Sequence, residues 1–111
     1  MKIAIPTERN LKKNDRVAKT FSRANTFTFI SIKDGKPFKY SVIENKTSKF
    51  KQGAGPLAAR TLKDNGITTL ISGDIGPGAT TILEALGIEI YHTNSGKLVK
   101  KVIEDWLTQN N

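Results

Sequence analysis

Apolar positions change rhythm about halfway along the chain. Near the start, Lys2 to Ile5 (KIAI) alternates and predicts a short buried strand that stops at Pro6. After a polar, charged stretch from Asn10 to Arg16, two more runs alternate with period two, Thr26 to Ile32 (TFTFISI) and Pro37 to Ile43 (PFKYSVI). Asp34 and Gly35 lie between them, and an Asp-Gly pair favours the tight turn whose twist suits an antiparallel hairpin. The first half therefore reads β-β-β.

The second half carries a weak repeat at a spacing of 21 residues. Gly55 to Leu70 (GPLAARTLKDNGITTL) and Gly76 to Tyr91 (GPGATTILEALGIEIY) share Gly55/Gly76, Pro56/Pro77, Ala58/Ala79, Leu62/Leu83, Gly66/Gly87 and Ile67/Ile88. Each copy predicts a helix followed by a strand. Proline suits a first helical turn, where the amide it lacks has no partner anyway, and a glycine eleven residues beyond each leading glycine stands where a left-handed cap belongs. Leu57, Ala58 and Leu62 share one face of the first helix; Ala79, Ile82, Leu83 and Leu86 share one face of the second. A last helix is expected from about Gly96 to Gln109, with Asn94 or Ser95 as N-cap and Leu98, Val99, Val102, Ile103, Trp106 and Leu107 as its apolar stripe. The order β-β-β-α-β-α-β-α predicts an α/β sandwich on a mixed sheet, with parallel neighbours in the second half.

A chain of 111 residues fits one domain, residues 1–111, able to bury a core without staples. No apolar run reaches the roughly 18 residues of a membrane span, and MKIAIPTERN turns polar too soon for a secretory signal. A cytoplasmic protein is expected. The absence of cysteine fits that compartment and removes thiolate nucleophiles and thiolate metal ligands together. Eighteen Lys and Arg against ten acids give a net charge of +8, which points to an acidic, phosphate-bearing or nucleic-acid partner. The excess lies in residues 1–51, but its lysines are scattered and thinly interleaved with aromatics, so a solvated basic surface is the simpler reading than nucleic-acid recognition.

The chemistry concentrates at GDIGPGA, Gly73 to Ala79. In parallel α/β sheets, loops of this kind lead from strand ends into helix N-termini, where unpaired amides and the macrodipole favour anions. The exit of the first strand near Pro6 to Glu8 and the GAGP corner at Gly53 to Pro56 are candidates for the same edge. The alternative is a cramped strand-to-helix turn that needs glycine only for room. The order G-x-x-G-x-G matches neither the phosphate loop nor the dinucleotide fingerprint, and Pro77 removes one amide. Asp74 can serve as ligand, helix cap or gate against anions. His92 is the single histidine and makes no metal site alone. No nucleophile elbow and no carboxylate cluster is present in the sequence, so neither a catalytic nor a metal-ligating residue is assigned and a non-enzymatic role is expected.

MKIAIPTE, RVAKTFSRANTFTFISI, VIEN, QGAGPLAARTL and GITTLISGDIGPGATTILEALGIEIY occur in an order that resembles the dinitrogenase iron-molybdenum cofactor biosynthesis domain family, nitrogenase accessory factor-like proteins, from Met1 to about Trp106. The resemblance implies a three-layer α/β/α sandwich with a five-stranded mixed sheet and a ribonuclease H-like motif. It also implies a role in handling the iron-molybdenum cofactor or iron-sulfur precursors, with other cofactor-assembly proteins as partners. Family members commonly carry His directly before the Phe of the Phe-x-Arg-Ala segment and directly before the GAG corner; here Thr20 and Gln52 stand there. Nuclease chemistry is not expected, since Ile3, Ala4 and Ile5 place no metal-holding carboxylate on the first strand. What remains is a receptor for a bulky anion, an anionic small molecule or metal cluster, framed by Arg23, Gly53, Ala54, Gly55, Gly73, Asp74, Gly76 and Gly78. The alternatives are a basic nucleic-acid or polyanion-binding module and a sensor of a small phosphate compound or nucleotide.

Overall fold

The alternating runs of the first half fold as three strands, and the repeat folds as two helix-strand units. In the computed structural model, which describes residues 1–110, the order is β1 (Lys2–Thr7), β2 (Thr26–Lys33), β3 (Lys36–Glu44), α1 (Ala54–Asp64), β4 (Thr69–Ser72), α2 (Pro77–Ala85), β5 (Glu89–His92) and α3 (Val99–Gln109). One 3-10 turn, Lys12–Asn14, interrupts the polar stretch. The five strands form one sheet in the order β3-β2-β1-β4-β5. The hairpin supplies the antiparallel pairs, while β1 with β4 and β4 with β5 are parallel. This is the mixed sheet of the expected ribonuclease H-like arrangement.

Strand alternation divides the core between two faces. Ala4, Phe27, Phe29 and Leu70 pack with Ala58, Ala59 and Leu62 of α1 and Ala79 and Leu83 of α2. Ile3, Ile5, Ile30 and Ile71 pack with Val99, Val102, Ile103 and Trp106 of α3. The sheet is thus sandwiched, with two helices on one side and one on the other. Each buried aliphatic side chain contributes roughly 1.5–3 kcal/mol by leaving water. Gly66 and Gly87 both adopt the left-handed conformation just past their helices, as the repeat predicts, at φ 75° and 79°.

Four expectations need correction. Strand β1 does not stop at Pro6 but runs on to Thr7, with Pro6 opposite Phe27. The Pro6 carbonyl accepts from the Ala18 amide, so its ring nitrogen also faces away from β2 and the missing N–H leaves that ladder intact. Helix α1 begins at Ala54, one residue ahead of the Gly55 that leads the repeat, because Gly53 turns the chain at φ 73°, and Pro56 lies in its first turn as expected. Leu57 lies 45% exposed instead of sharing the buried face of Ala58 and Leu62. The last helix begins at Val99, with Leu98 and not Asn94 or Ser95 at its N-cap position. Gly96 turns the chain at φ 85°, and Leu98 is held extended by its bridge to Arg16, with the Val17 amide donating to the Lys97 carbonyl beside it.

Candidate functional site

Because β1 and β4 run parallel, their carboxyl ends open on one end of the sheet. The segment from Val17 to Phe21 crosses that end and is laced to both strands' exits. Ala18 donates to the Pro6 carbonyl at 2.9 Å, Asp74 donates to Lys19 at 3.0 Å, and Phe21 donates to Asp74 at 3.0 Å. The glycine corner after β4 is therefore held by its main chain. A Cβ on Gly73 would stand 2.7 Å from the Lys19 carbonyl oxygen, so Gly73 is glycine because the main chain of the loop between β1 and β2 presses on it. Replacing it with alanine overpacks this contact at a cost of about 1–3 kcal/mol, and urea unfolding of Gly73→Ala is expected to show the loss. An unchanged midpoint would contradict the close approach.

Gly55 has a different reason. Its absent Cβ would lie 3.0 Å from the Ala79 Cβ, so the first turns of α1 and α2 touch there. Two helix starts are in this way brought side by side. The first main-chain amides with helical partners are Leu57, bonded to Gly53, and Thr80, bonded to Gly76. Ala54 and Gly55 in one helix, and Gly78 and Ala79 in the other, precede those bonds and have no intrahelical acceptor. Neither start has a side-chain cap, and neither first turn holds an acid. At α3, by contrast, the Val99 amide is taken by the Asp15 carbonyl.

Gly76 and Gly78 differ from the packed glycines. Both are exposed, neither has positive φ, and a Cβ on either would meet nothing within 4 Å. Neither backbone conformation nor crowding accounts for them. Asp74 does not cap α2; its N–H and C=O tie the corner down while its side chain is exposed. It lines a cavity of about 320 Å³ with Lys19, Gly73, Thr93, Asn94 and Ser95 at the carboxyl ends of β4 and β5.

Arg23 is on the same end of the molecule, two residues past the Phe21–Asp74 bond. Its Nη1 donates to the Ser48 carbonyl at 3.0 Å and to that of Phe50, so the guanidinium clamps the loop that leads into α1. Sequence reasoning missed the partner of this clamp, Asn45. Asn45 is 4% exposed, and its amide donates to the carbonyls of Ser22 and Ala24 while its oxygen accepts from the amide and hydroxyl of Thr47. Lys46, Lys49 and Lys51 are exposed along the same loop, beside a 44% exposed Phe50. The compact run KTSKFK was the available signal for this basic approach to α1. Ser72 was also missed: its hydroxyl is wholly buried and has no hydrogen-bond partner among the described residues. By alternation with Leu70 it faces the side covered by α1 and α2.

Thr20 bridges to Asp74 and Gln52 immediately precedes Gly53, so both positions border this end. His92 is exposed at the tip of β5. Among the described residues no group of three or more His, Cys, Asp or Glu side chains could hold a metal ion.

Fold and site together define a three-layer α/β domain whose loops and helix starts gather at the carboxyl ends of parallel strands. The chain belongs to the dinitrogenase iron-molybdenum cofactor family, whose model matches residues 1–109. An uncharacterized protein of Methanocaldococcus jannaschii is 30% identical over 95 residues, covering 86% of this chain and 76% of the relative. Among solved structures, the apo form of the orange protein from Desulfovibrio gigas is similar with a TM-score of 0.86 and 27% identity, covering 97% of this chain and 88% of the other. A Thermotoga protein described as a candidate NifB protein superposes with a TM-score of 0.77 at 27% identity, over 95% of this chain and 85% of its own. Among the described residues no helix is long and apolar enough to cross a membrane.

Proposed function

We propose that this domain is a non-catalytic carrier or accessory module of iron-molybdenum cofactor assembly, which holds a bulky anionic cluster as cargo at the paired starts of α1 and α2. The observation that carries the reading is the contact of two uncapped helix N-termini through Gly55 and Ala79, next to Gly76 and Gly78, which open on free space. Each helix start contributes partial positive charge, and together they aim several N–H donors at one anion. Lys46, Lys49 and Lys51 raise the local potential and steer an anion inward.

The donor chemistry favours charge over coordination. The chain has no cysteine, and Thr20 and Gln52 occupy the positions where family members commonly offer imidazole. An iron cluster bound by covalent ligation needs thiolate or imidazole donors. Here the cargo keeps its own ligands and is gripped from outside through their negative charge, an arrangement suited to reversible hand-over between other cofactor-assembly proteins.

Anaerobic titration with isolated iron-molybdenum cofactor, followed by desalting and metal analysis, tests the reading. Retention of molybdenum and iron at low ionic strength, with loss as salt rises, is the expected result. Absence of retention at every salt concentration removes the cargo.

A further inference from the structure

The two edges of the sheet are not alike. Strand β3 carries Lys36, Pro37 and Lys39, and its register with β2 breaks between Ser31 and Ile32. Lysine, proline and a bulge are devices that discourage a foreign strand from pairing. Strand β5, with the sequence Glu-Ile-Tyr-His, has none of them. The Glu89 and Thr93 amides donate inward to the Thr68 and Ser72 carbonyls, so the alternation of the strand turns the main-chain groups of Ile90 and His92 outward.

Each face of this open edge has a groove. Toward α2 a cavity of about 640 Å³ is lined by Thr80, Glu84, Ile88, Ile90 and His92. Toward α3 a second, of about 200 Å³, is lined by Ile71, Tyr91, His92, Lys97, Asp105 and Trp106, with Asp105 paired to Lys101 at 3.3 Å. Trp106 is 9% exposed, and its indole N–H is buried without a partner among the described residues. A strand added to β5 would send successive side chains alternately into the two grooves while its main chain bonds Ile90 and His92.

Charge selects the partner. The α2 groove is lined by Glu84 and Glu89 and by no Lys or Arg, in a chain whose net charge is +8, whereas the α3 groove holds Lys97 beside Asp105. Glu89 also accepts from the Tyr91 hydroxyl at 3.0 Å. That hydrogen bond, with burial and the nearby carboxylate charge, raises the Tyr91 pKa above its ordinary value. We infer that the β5 edge is a docking site for an extended segment of a partner protein, bearing Lys or Arg at alternate positions, which joins the sheet as an additional strand. This surface is separate from the helix-start receptor.

The test uses the whole chain labelled with nitrogen-15 and an acetylated, amidated hexapeptide alternating lysine and valine. The Ile90 and His92 amides are expected to shift most, and their hydrogen exchange to slow. The same hexapeptide with glutamate in place of lysine should leave them unmoved. His92→Pro, which deletes an outward amide at an exposed position, should abolish binding. Glu84→Lys with Glu89→Lys should weaken it about tenfold as attraction becomes repulsion, and this pair keeps the test open if the proline variant does not fold. Equal response to both peptides, no response to the lysine peptide at millimolar concentration, or full binding by a folded His92→Pro overturns the proposal. So does a shift of the same amides with protein concentration alone, which assigns the edge to a second copy of this chain.

Discussion

Gly76→Asp is expected to make the protein more stable and a poorer receptor at the same time. Gly76 occupies the N-cap position of α2 at φ −65° and ψ 154°, an extended conformation open to any residue, and a new side chain meets nothing within 4 Å. An aspartate there accepts from the first-turn amides and complements the macrodipole, which together raise stability by about 0.5–1 kcal/mol. It also places a fixed carboxylate on the donors assigned to the cargo, so affinity should fall by at least about tenfold, or 1.4 kcal/mol. Gly76→Asn provides a cap without the charge and should fall between the two. Urea unfolding and metal retention after desalting give both readouts. A stabilised Gly76→Asp that keeps wild-type retention moves the cargo elsewhere.

Asn45→Ala should give the largest loss of stability among single changes at this end. Four hydrogen bonds of 2.7–3.1 Å join its side chain to Ser22, Ala24 and Thr47 in a buried setting. Truncation leaves the Ser22 and Ala24 carbonyls and the Thr47 amide without those partners, at a net cost of about 3 kcal/mol, since an unsatisfied buried group costs about 1–3 kcal/mol. The Arg23 clamp on Ser48 and Phe50 then holds the loop alone, and the start of α1 loses its fixed approach. Cargo retention should decline with stability. An unchanged unfolding midpoint would show that the loop is held by other contacts.

Local signals in the sequence carried most of the fold. The turn at Asp34 and Gly35, the glycines past each helix and the stripe of α3 each require only neighbours within one or two turns. Expectation and structure part where distant segments meet. The delayed start of α3 depends on pairing with Arg16 and Val17, some 80 residues earlier in the chain. Leu57 is apolar yet exposed because α1 follows Ala58, Ala59 and Leu62 inward.

The candidate site was legible in the same graded way. Both glycine corners could be read, but their glycines have three separate causes, a turn at Gly53, a helix contact at Gly55 and a backbone contact at Gly73, and none of these applies to Gly76 and Gly78. Spacing alone cannot separate these. Arg23 stands out as a guanidinium in the Phe-x-Arg-Ala segment, while its engagement with the loop carbonyls depends on a fold that brings residues 48 and 50 to it. Asn45 and Ser72 give no motif, and only burial distinguishes them.

A direct measurement is the amide spectrum of the nitrogen-15-labelled protein as isolated iron-molybdenum cofactor is added anaerobically. If main-chain N–H groups at two touching helix starts receive the negative charge, the resonances of Gly55, Gly78 and Ala79 move or broaden first, and added salt reverses the change. Perturbation confined to His92, or to the lysine-rich loop with these three amides unmoved, contradicts the account.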